Sequence, residues 1–132
     1  MTGKPISPLA HGVLDYTVGA SLVALPHVLG WTGKPKTILQ VAGLTHMAYS
    51  LFTKYKMGVK PVIPFETHLA ADAAGAAAIG AAAGMMTDQP KNVRAVFGGL
   101  ALMETLVLLM TSRTGRGRVP ENPLKEALSG RL

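Results

Sequence analysis

The stretch Pro64–Met86, PFETHLAADAAGAAAIGAAAGMM, decides how the chain reads. It is apolar and rich in Ala and Gly, yet it carries His68 and Asp72 four residues apart, on one face of a helix. An imidazole and a carboxylate in a segment otherwise built to be dry are costly unless they face partners. They mark the centre of a site.

Three more apolar segments accompany this one. Pro8–Leu29 is followed by a break at Gly30–Pro35, where GWTGKP combines two glycines and a proline. At roughly 22 residues and 1.5 Å per residue it is long enough for a hydrocarbon core of about 30 Å. His11 and Asp15 interrupt it and no A-x-A site follows, which makes it a poor signal peptide. Thr37–Phe52 is shorter and spans only if Lys36 and Lys54 snorkel at its ends. Val93–Thr111 holds a single acid, Glu104. The basic loop Thr53–Pro64 and the turn TDQPKN separate the second, third and fourth segments.

A soluble four-helix bundle would need a polar stripe recurring at three- and four-residue spacing on each helix. None of the four segments has one, and Ala73–Met86 has no polar side chain at all. The chain is 48% apolar and 15% charged, against about 25% charged in a typical soluble domain. Its mean hydropathy is +0.31. These features predict an all-α fold, a four-transmembrane-helix bundle over residues 1–113 with the lipid bilayer as its partner. A polar, basic cytoplasmic tail follows over 114–132, with one short helix near Pro123–Ser129.

Lys and Arg set the orientation. The side holding the N-terminus, the Thr53–Pro64 loop and the tail carries Lys4, Lys54, Lys56, Lys60, Arg113, Arg116, Arg118, Lys125 and Arg131, nine in all. The other side carries four, Lys34, Lys36, Lys91 and Arg94. By the positive-inside rule both termini are cytoplasmic, in a bacterial inner membrane. The basic tail reads as this topology signal alone, with contact with anionic lipid as the competing reading. Nucleic-acid binding is excluded for want of interleaved aromatics or a recognisable motif.

Counted from the cytoplasmic ends, the ionisable residues of all four segments fall into one layer, roughly 5 to 12 Å deep at the helical rise. The layer comprises His11, Asp15, His46, Tyr49, His68, Asp72 and Glu104. His11-x-x-x-Asp15 recurs as His68-x-x-x-Asp72 at an offset of 57, which carries His46 onto Met103, next to Glu104. The chain therefore reads as two helical hairpins repeated in parallel about a pseudo-twofold along the membrane normal.

Inward-pointing imidazoles and carboxylates on four helices are the donor set of transition-metal sites such as Fe, Zn or Mn, mononuclear or dinuclear. The Glu-x-x-His signature of di-iron bundles is absent, and ligand type and convergence carry the reading. His11, His46, His68, Asp72 and Glu104 are the expected ligands, with Asp15 and Tyr49 as ligands or as groups that orient an imidazole. The same residues also suit a purely structural polar network in a scaffold protein. Haem, held by His46 and His68, fits less well beside so many carboxylates. A proton or cation path lacks polar residues beyond the layer. There are no cysteines, so thiolate ligands and nucleophiles are excluded. His27 sits outside the layer as an interfacial histidine, and Glu66 serves the N-terminal helix dipole. Gly75, Gly80 and Gly84, with Gly98 and Gly99, suit close packing within the bundle or at a homo-oligomer interface.

HGVLDY at residues 11–16, the hairpin duplication and SLVALPHVLGW at the close of the first segment resemble the SPW-repeat family of small bacterial integral membrane proteins. In that family the first helix ends in a Ser/Ala-Pro-Trp run followed by a Leu-Gly-aromatic element. Here Leu25-Pro26-His27 takes the place of the run, and Leu29-Gly30-Trp31 keeps the later element. The second copy, GMMTDQP, departs from the pattern. The resemblance covers about two thirds of the chain and implies a four-helix membrane fold, with no activity attached.

Overall fold

The structure, a computed structural model, describes residues 4–113. Within them the chain is all helical: α1 (Pro8–Val28), α2 (Gly33–Leu51), α3 (Phe65–Met85) and α4 (Lys91–Met110). The tail 114–132, including the helix expected at Pro123–Ser129, lies outside the described residues.

Local chemistry explains most boundaries. Ser7 caps α1 by accepting from the Ala10 N–H at 3.1 Å, and Pro8 takes the first helical position, where a missing N–H costs nothing. At the other end Gly30 adopts φ 67°. Its N–H donates to His27 O (3.2 Å) and that of Trp31 to Pro26 O (2.8 Å), a Schellman closure that needs the left-handed residue glycine supplies. α2 begins four residues earlier than the spacing predicts, at Gly33 rather than Thr37. Pro35 falls in its first turn, where its ring and lost donor are tolerated. That gives α2 a length of about 28 Å. Arg94 of α4 donates through Nε to Ala83 O (2.8 Å), satisfying a carbonyl left open at the end of α3 and tying the second hairpin shut.

The helices pack as two antiparallel hairpins, α1 on α2 and α3 on α4. Gly19 and Gly43 face each other at the first contact: a Cβ on Gly43 would lie 2.5 Å from the Gly19 carbonyl oxygen and 2.9 Å from Leu22 Cβ. The glycines singled out from sequence behave differently. Only Gly80 would bring a Cβ against a neighbour, Ala101 at 3.4 Å; Gly75, Gly84, Gly98 and Gly99 face open space. The close approach belongs to the first hairpin.

The helices of the two hairpins correspond position by position. At offset 57, Ile6, His11, Asp15 and Leu22 correspond to Ile63, His68, Asp72 and Ile79. Along the second helices the offset is 58, pairing Leu39, His46 and Thr53 with Phe97, Glu104 and Thr111. The extra residue comes from the turn, Leu29–Thr32 in one hairpin and the longer Met86–Pro90 in the other. His46 therefore answers to Glu104 itself, and not to Met103.

The hairpins are joined at their open ends by the same backbone contacts made twice. Ile6 N–H donates to Met110 O (3.0 Å) and Ser112 N–H to Ile6 O (2.7 Å). Ile63 N–H donates to Phe52 O (2.7 Å) and Lys54 N–H to Ile63 O (2.8 Å). The end of α4 is thereby fixed beside the start of α1, and the end of α2 beside the start of α3. At the opposite end Leu22, Leu39, Ile79, Met86, Val93 and Phe97 form the apolar core, with Trp31 stacked on Phe97 at 6.2 Å.

The outside is apolar where a soluble bundle is polar. Leu102, Leu106 and Leu109 form an exposed stripe on α4, and Val41 and Leu44 are more than half exposed on α2. The buried set instead includes His11, Asp15, His68, Asp72 and Glu104. By length and composition, α4 alone among the described helices is apolar enough to cross a membrane, with a mean hydropathy of 1.8. The four-span expectation is thus met in this respect by one helix; ionisable side chains dilute α1 and α3, and polar ones dilute α2.

Gly43→Ala is expected to lower stability by about 1–3 kcal/mol through overpacking against backbone. Gly84→Ala, in open space, is expected to be neutral or to stabilise by about 0.5–1 kcal/mol through helix propensity. Thermal unfolding followed by circular dichroism in mild detergent checks both, and equal effects would contradict the packing described.

Candidate metal centre

α1 and α3 each place a histidine at the fourth helical position and an aspartate one turn later. The joined open ends bring these two pairs face to face. His11 Nε2 lies 2.9 Å from Asp72 Oδ2 and 3.3 Å from Asp15 Oδ1. His68 Nε2 lies 3.1 Å from Asp15 Oδ2 and 3.3 Å from Asp72 Oδ2. The four groups form a closed, alternating His–Asp ring, and one donor atom from each lies within 4.8 Å of all the others. All four residues are buried, His68 completely.

Two threonines determine which imidazole nitrogen faces the ring. The Thr111 hydroxyl donates to Val107 O (2.6 Å), so its oxygen accepts from His11 Nδ1–H at 2.8 Å. The Thr53 hydroxyl donates to Tyr49 O (2.7 Å) and accepts from His68 Nδ1–H, also at 2.7 Å. Both imidazoles therefore spend their Nδ1 proton outside the ring and turn Nε2 inward. Neutral, those nitrogens present lone pairs to carboxylates that also carry only lone pairs. Such a ring holds together only if positive charge sits inside it, as two protons or as one divalent cation. His68 Nε2 is the buried side-chain atom among the described residues with no hydrogen-bond partner.

Further groups hold the carboxylates. Asp15 accepts from Tyr55 OH (2.7 Å) and is 3.1 Å from His46 Nε2. Asp72 accepts from Tyr49 OH, which is also 3.0 Å from His46 Nδ1. Burial first, and then the bond to Asp15, push the Tyr55 phenol above its ordinary pKa, so it remains a donor at any physiological pH. Phe65 stacks on His68 (5.9 Å) and meets His11 edge-on (5.6 Å); Tyr49 and Tyr55 close on His68 at 4.9 and 5.4 Å. This aromatic collar shields the ring from water.

Of the seven residues expected at the site, His11, Asp15, His68 and Asp72 make the ring. His46 and Tyr49 adjoin it through hydrogen bonds to its carboxylates. Glu104 reaches the same region and lines a cavity with His46, but it makes no hydrogen bond among the described residues. His27 stands apart, beside Gln40 at 2.7 Å. Glu66 lies exposed in the first turn of α3. Sequence reading missed Thr53, Thr111, Tyr55 and Phe65. The threonines carry a signal: they are 58 apart and each follows the end of a second helix, so the repeat extended to the helix ends would have found them.

No protein-family model, no curated protein and no solved structure matches this chain.

Thr53→Val keeps the shape of the side chain but leaves the buried His68 Nδ1–H without an acceptor. It is expected to cost about 1–3 kcal/mol of stability. The 15N spectrum of labelled histidine should show altered tautomer populations for His68, and an unchanged spectrum would contradict the assigned proton positions.

Proposed function

We propose that this chain is a small integral membrane protein, an internally duplicated pair of hairpins crossing the bilayer four times. It holds a transition-metal ion in the His11–Asp15–His68–Asp72 ring, near the cytoplasmic face. The observation that carries the metal reading is the convergence of two inward Nε2 lone pairs on two buried carboxylates. Two neutral imidazoles, two carboxylates and one divalent ion make a neutral assembly, the form in which charge is least costly to bury. Two nitrogen and two oxygen donors suit Zn, Fe or Mn. The Nδ1–H bonds to Thr53 and Thr111, and the donors on the far carboxylate oxygens, are the outer contacts that orient such ligands. Zinc would be closed by these four ligands; iron or manganese keeps further coordination positions, the requirement for redox or hydrolytic work on a small molecule.

The bilayer reading draws support from the inverted distribution of polarity, with ionisable groups inside and leucine and valine outside. The excess of Lys and Arg at the open ends of the hairpins supports cytoplasmic termini. Because the chain has no cysteine, single introduced cysteines report topology directly. A cysteine at Lys56 is expected to react with an impermeant maleimide only in inverted vesicles, and one at Lys34 only in right-side-out ones. Labelling of both from the same side would exclude the four-span topology.

The 2.9 Å contact of His11 with Asp72 favours a second reading, a ring held by protons, with each imidazolium between carboxylates, in a structural or scaffolding role. Haem draws no such support. His46 and His68 are tied to Asp15 and Thr53, their planes cross at 80°, and Tyr49 packs against both rings. Elemental analysis of protein purified in mild detergent without chelator separates the readings. About one Zn, Fe or Mn per chain is expected, falling at least tenfold in His68→Ala, since loss of a single ligand or its orienting partner costs 10–100-fold in affinity. Sub-stoichiometric metal that does not recover on adding each ion would leave the proton-held network.

A further inference from the structure

Beside the ring the two halves of the repeat differ in side-chain volume, and the difference opens a cleft. Between α1 and α4 the space beside the ring is filled by Leu14, Val18, Met103, Val107 and Leu108, leaving a cavity of about 20 Å³. That is room for about one water molecule. Between α2 and α3 the corresponding space is a cleft of about 610 Å³. The reason lies in the Ala/Gly run: Ala71 and Gly75 stand at offset 57 from Leu14 and Val18. Ala74 and Ala78 continue that wall, and Val41 faces it from α2. A Cβ on Gly75 would meet nothing within 4 Å.

One group at the bottom of this cleft is a carboxylate with no hydrogen bond among the described residues. Glu104 is only 9% exposed and lines the cleft. Its neighbours there, His46 and Tyr49, are already engaged with Asp15 and Asp72. The Glu104 carboxylate oxygens open onto the cleft with acceptor capacity to spare, which a ligand's donor can fill. The apolar walls and the volume are those of a small-molecule site with one orienting polar group.

We propose that the α2–α3 cleft binds a lipid-soluble alcohol or phenol, its apolar chain along Ala71, Gly75 and Ala78 and its hydroxyl donating to Glu104. His46 and Tyr49 lie beside the bound hydroxyl and link it through Asp15 and Asp72 to the ring. The binding site stands on the cleft and Glu104 alone; it does not require that the ring hold metal.

The test uses the full chain in phosphatidylcholine nanodiscs, with a hexadecanol analogue bearing a chain diazirine as the probe and peptide mass spectrometry as the readout. Saturable cross-linking confined to α2 and α3 is expected, competed by hexadecanol and not by its methyl ether. Ala71→Leu with Gly75→Val, which restores the α1 side chains, should abolish it. Val41→Trp fills the same space from the opposite wall and should do likewise, so a folding failure in one variant leaves the other to decide. Glu104→Leu should weaken competition by hexadecanol about tenfold or more, the loss of one hydrogen bond to a charged group. Labelling spread evenly over four helices, or indifferent to both filling variants, overturns the proposal. Metal content measured on the same samples keeps the two readings apart: a cleft that fails to label in metal-replete protein sinks only the cleft, and specific labelling of protein that takes up none of Zn, Fe or Mn when each is added sinks only the metal centre.

Discussion

Two carboxylates, Asp15 and Asp72, are buried within reach of the same two imidazole nitrogens, and the rest of the structure depends on neutralising them. Ionised carboxylates taken out of water cost several kcal/mol each unless opposite charge and hydrogen bonds surround them. Here the compensation comes from three helices and a loop: His11 and His68 from α1 and α3, His46 and Tyr49 from α2, and Tyr55 from the loop that follows. None of these partners is close in sequence to both acids. The ring therefore acts as a pin at one end of two hairpins that also meet through the backbone bridges at Ile6 and Ile63 and, at the other end, through the apolar core around Leu22, Leu39, Ile79 and Phe97.

Thr53 and Thr111 supply the directional part of this arrangement. Each sits just past a helix end, with its hydroxyl proton committed to the carbonyl four residues back, and each can then only accept from an imidazole. A hydroxyl free to rotate would leave the tautomer open. Bound in this way, it forces both Nε2 atoms toward the carboxylates and sets the chemistry of the centre to cation or proton binding, rather than to a neutral hydrogen-bonded chain.

Internal symmetry explains the ring, and departures from it explain the surroundings. His46 and Glu104 occupy equivalent positions but differ in chemistry: one is an imidazole bonded to Asp15, while the other is a carboxylate that lines a cleft and makes no hydrogen bond among the described residues. Leu14 and Val18 fill one flank where Ala71 and Gly75 leave the other hollow. A duplicated scaffold can keep its shared centre and vary one half, because each hairpin closes its own turn, through the Schellman motif at Gly30 in one and Arg94 on Ala83 in the other.

Much of this was legible in the chain itself. Helix number, the break at Gly30, the stop at Pro61–Pro64 and the layer of His11, Asp15, His46, Tyr49, His68, Asp72 and Glu104 follow from local rules: periodicity, turn chemistry and the cost of burying charge. The repeat was visible in its polar residues, although one extra residue in the second turn hid the match of His46 to Glu104. Distance relations were not legible. That Asp15 is a ring member on the same footing as Asp72, that Thr53 and Thr111 orient the imidazoles, and that the Ala/Gly run borders a cleft instead of a packed interface depend on how two hairpins dock. Docking is decided by side-chain volumes and backbone bridges between residues as far apart as Ile6 and Thr111. Spacing along one helix carries no information about what stands opposite.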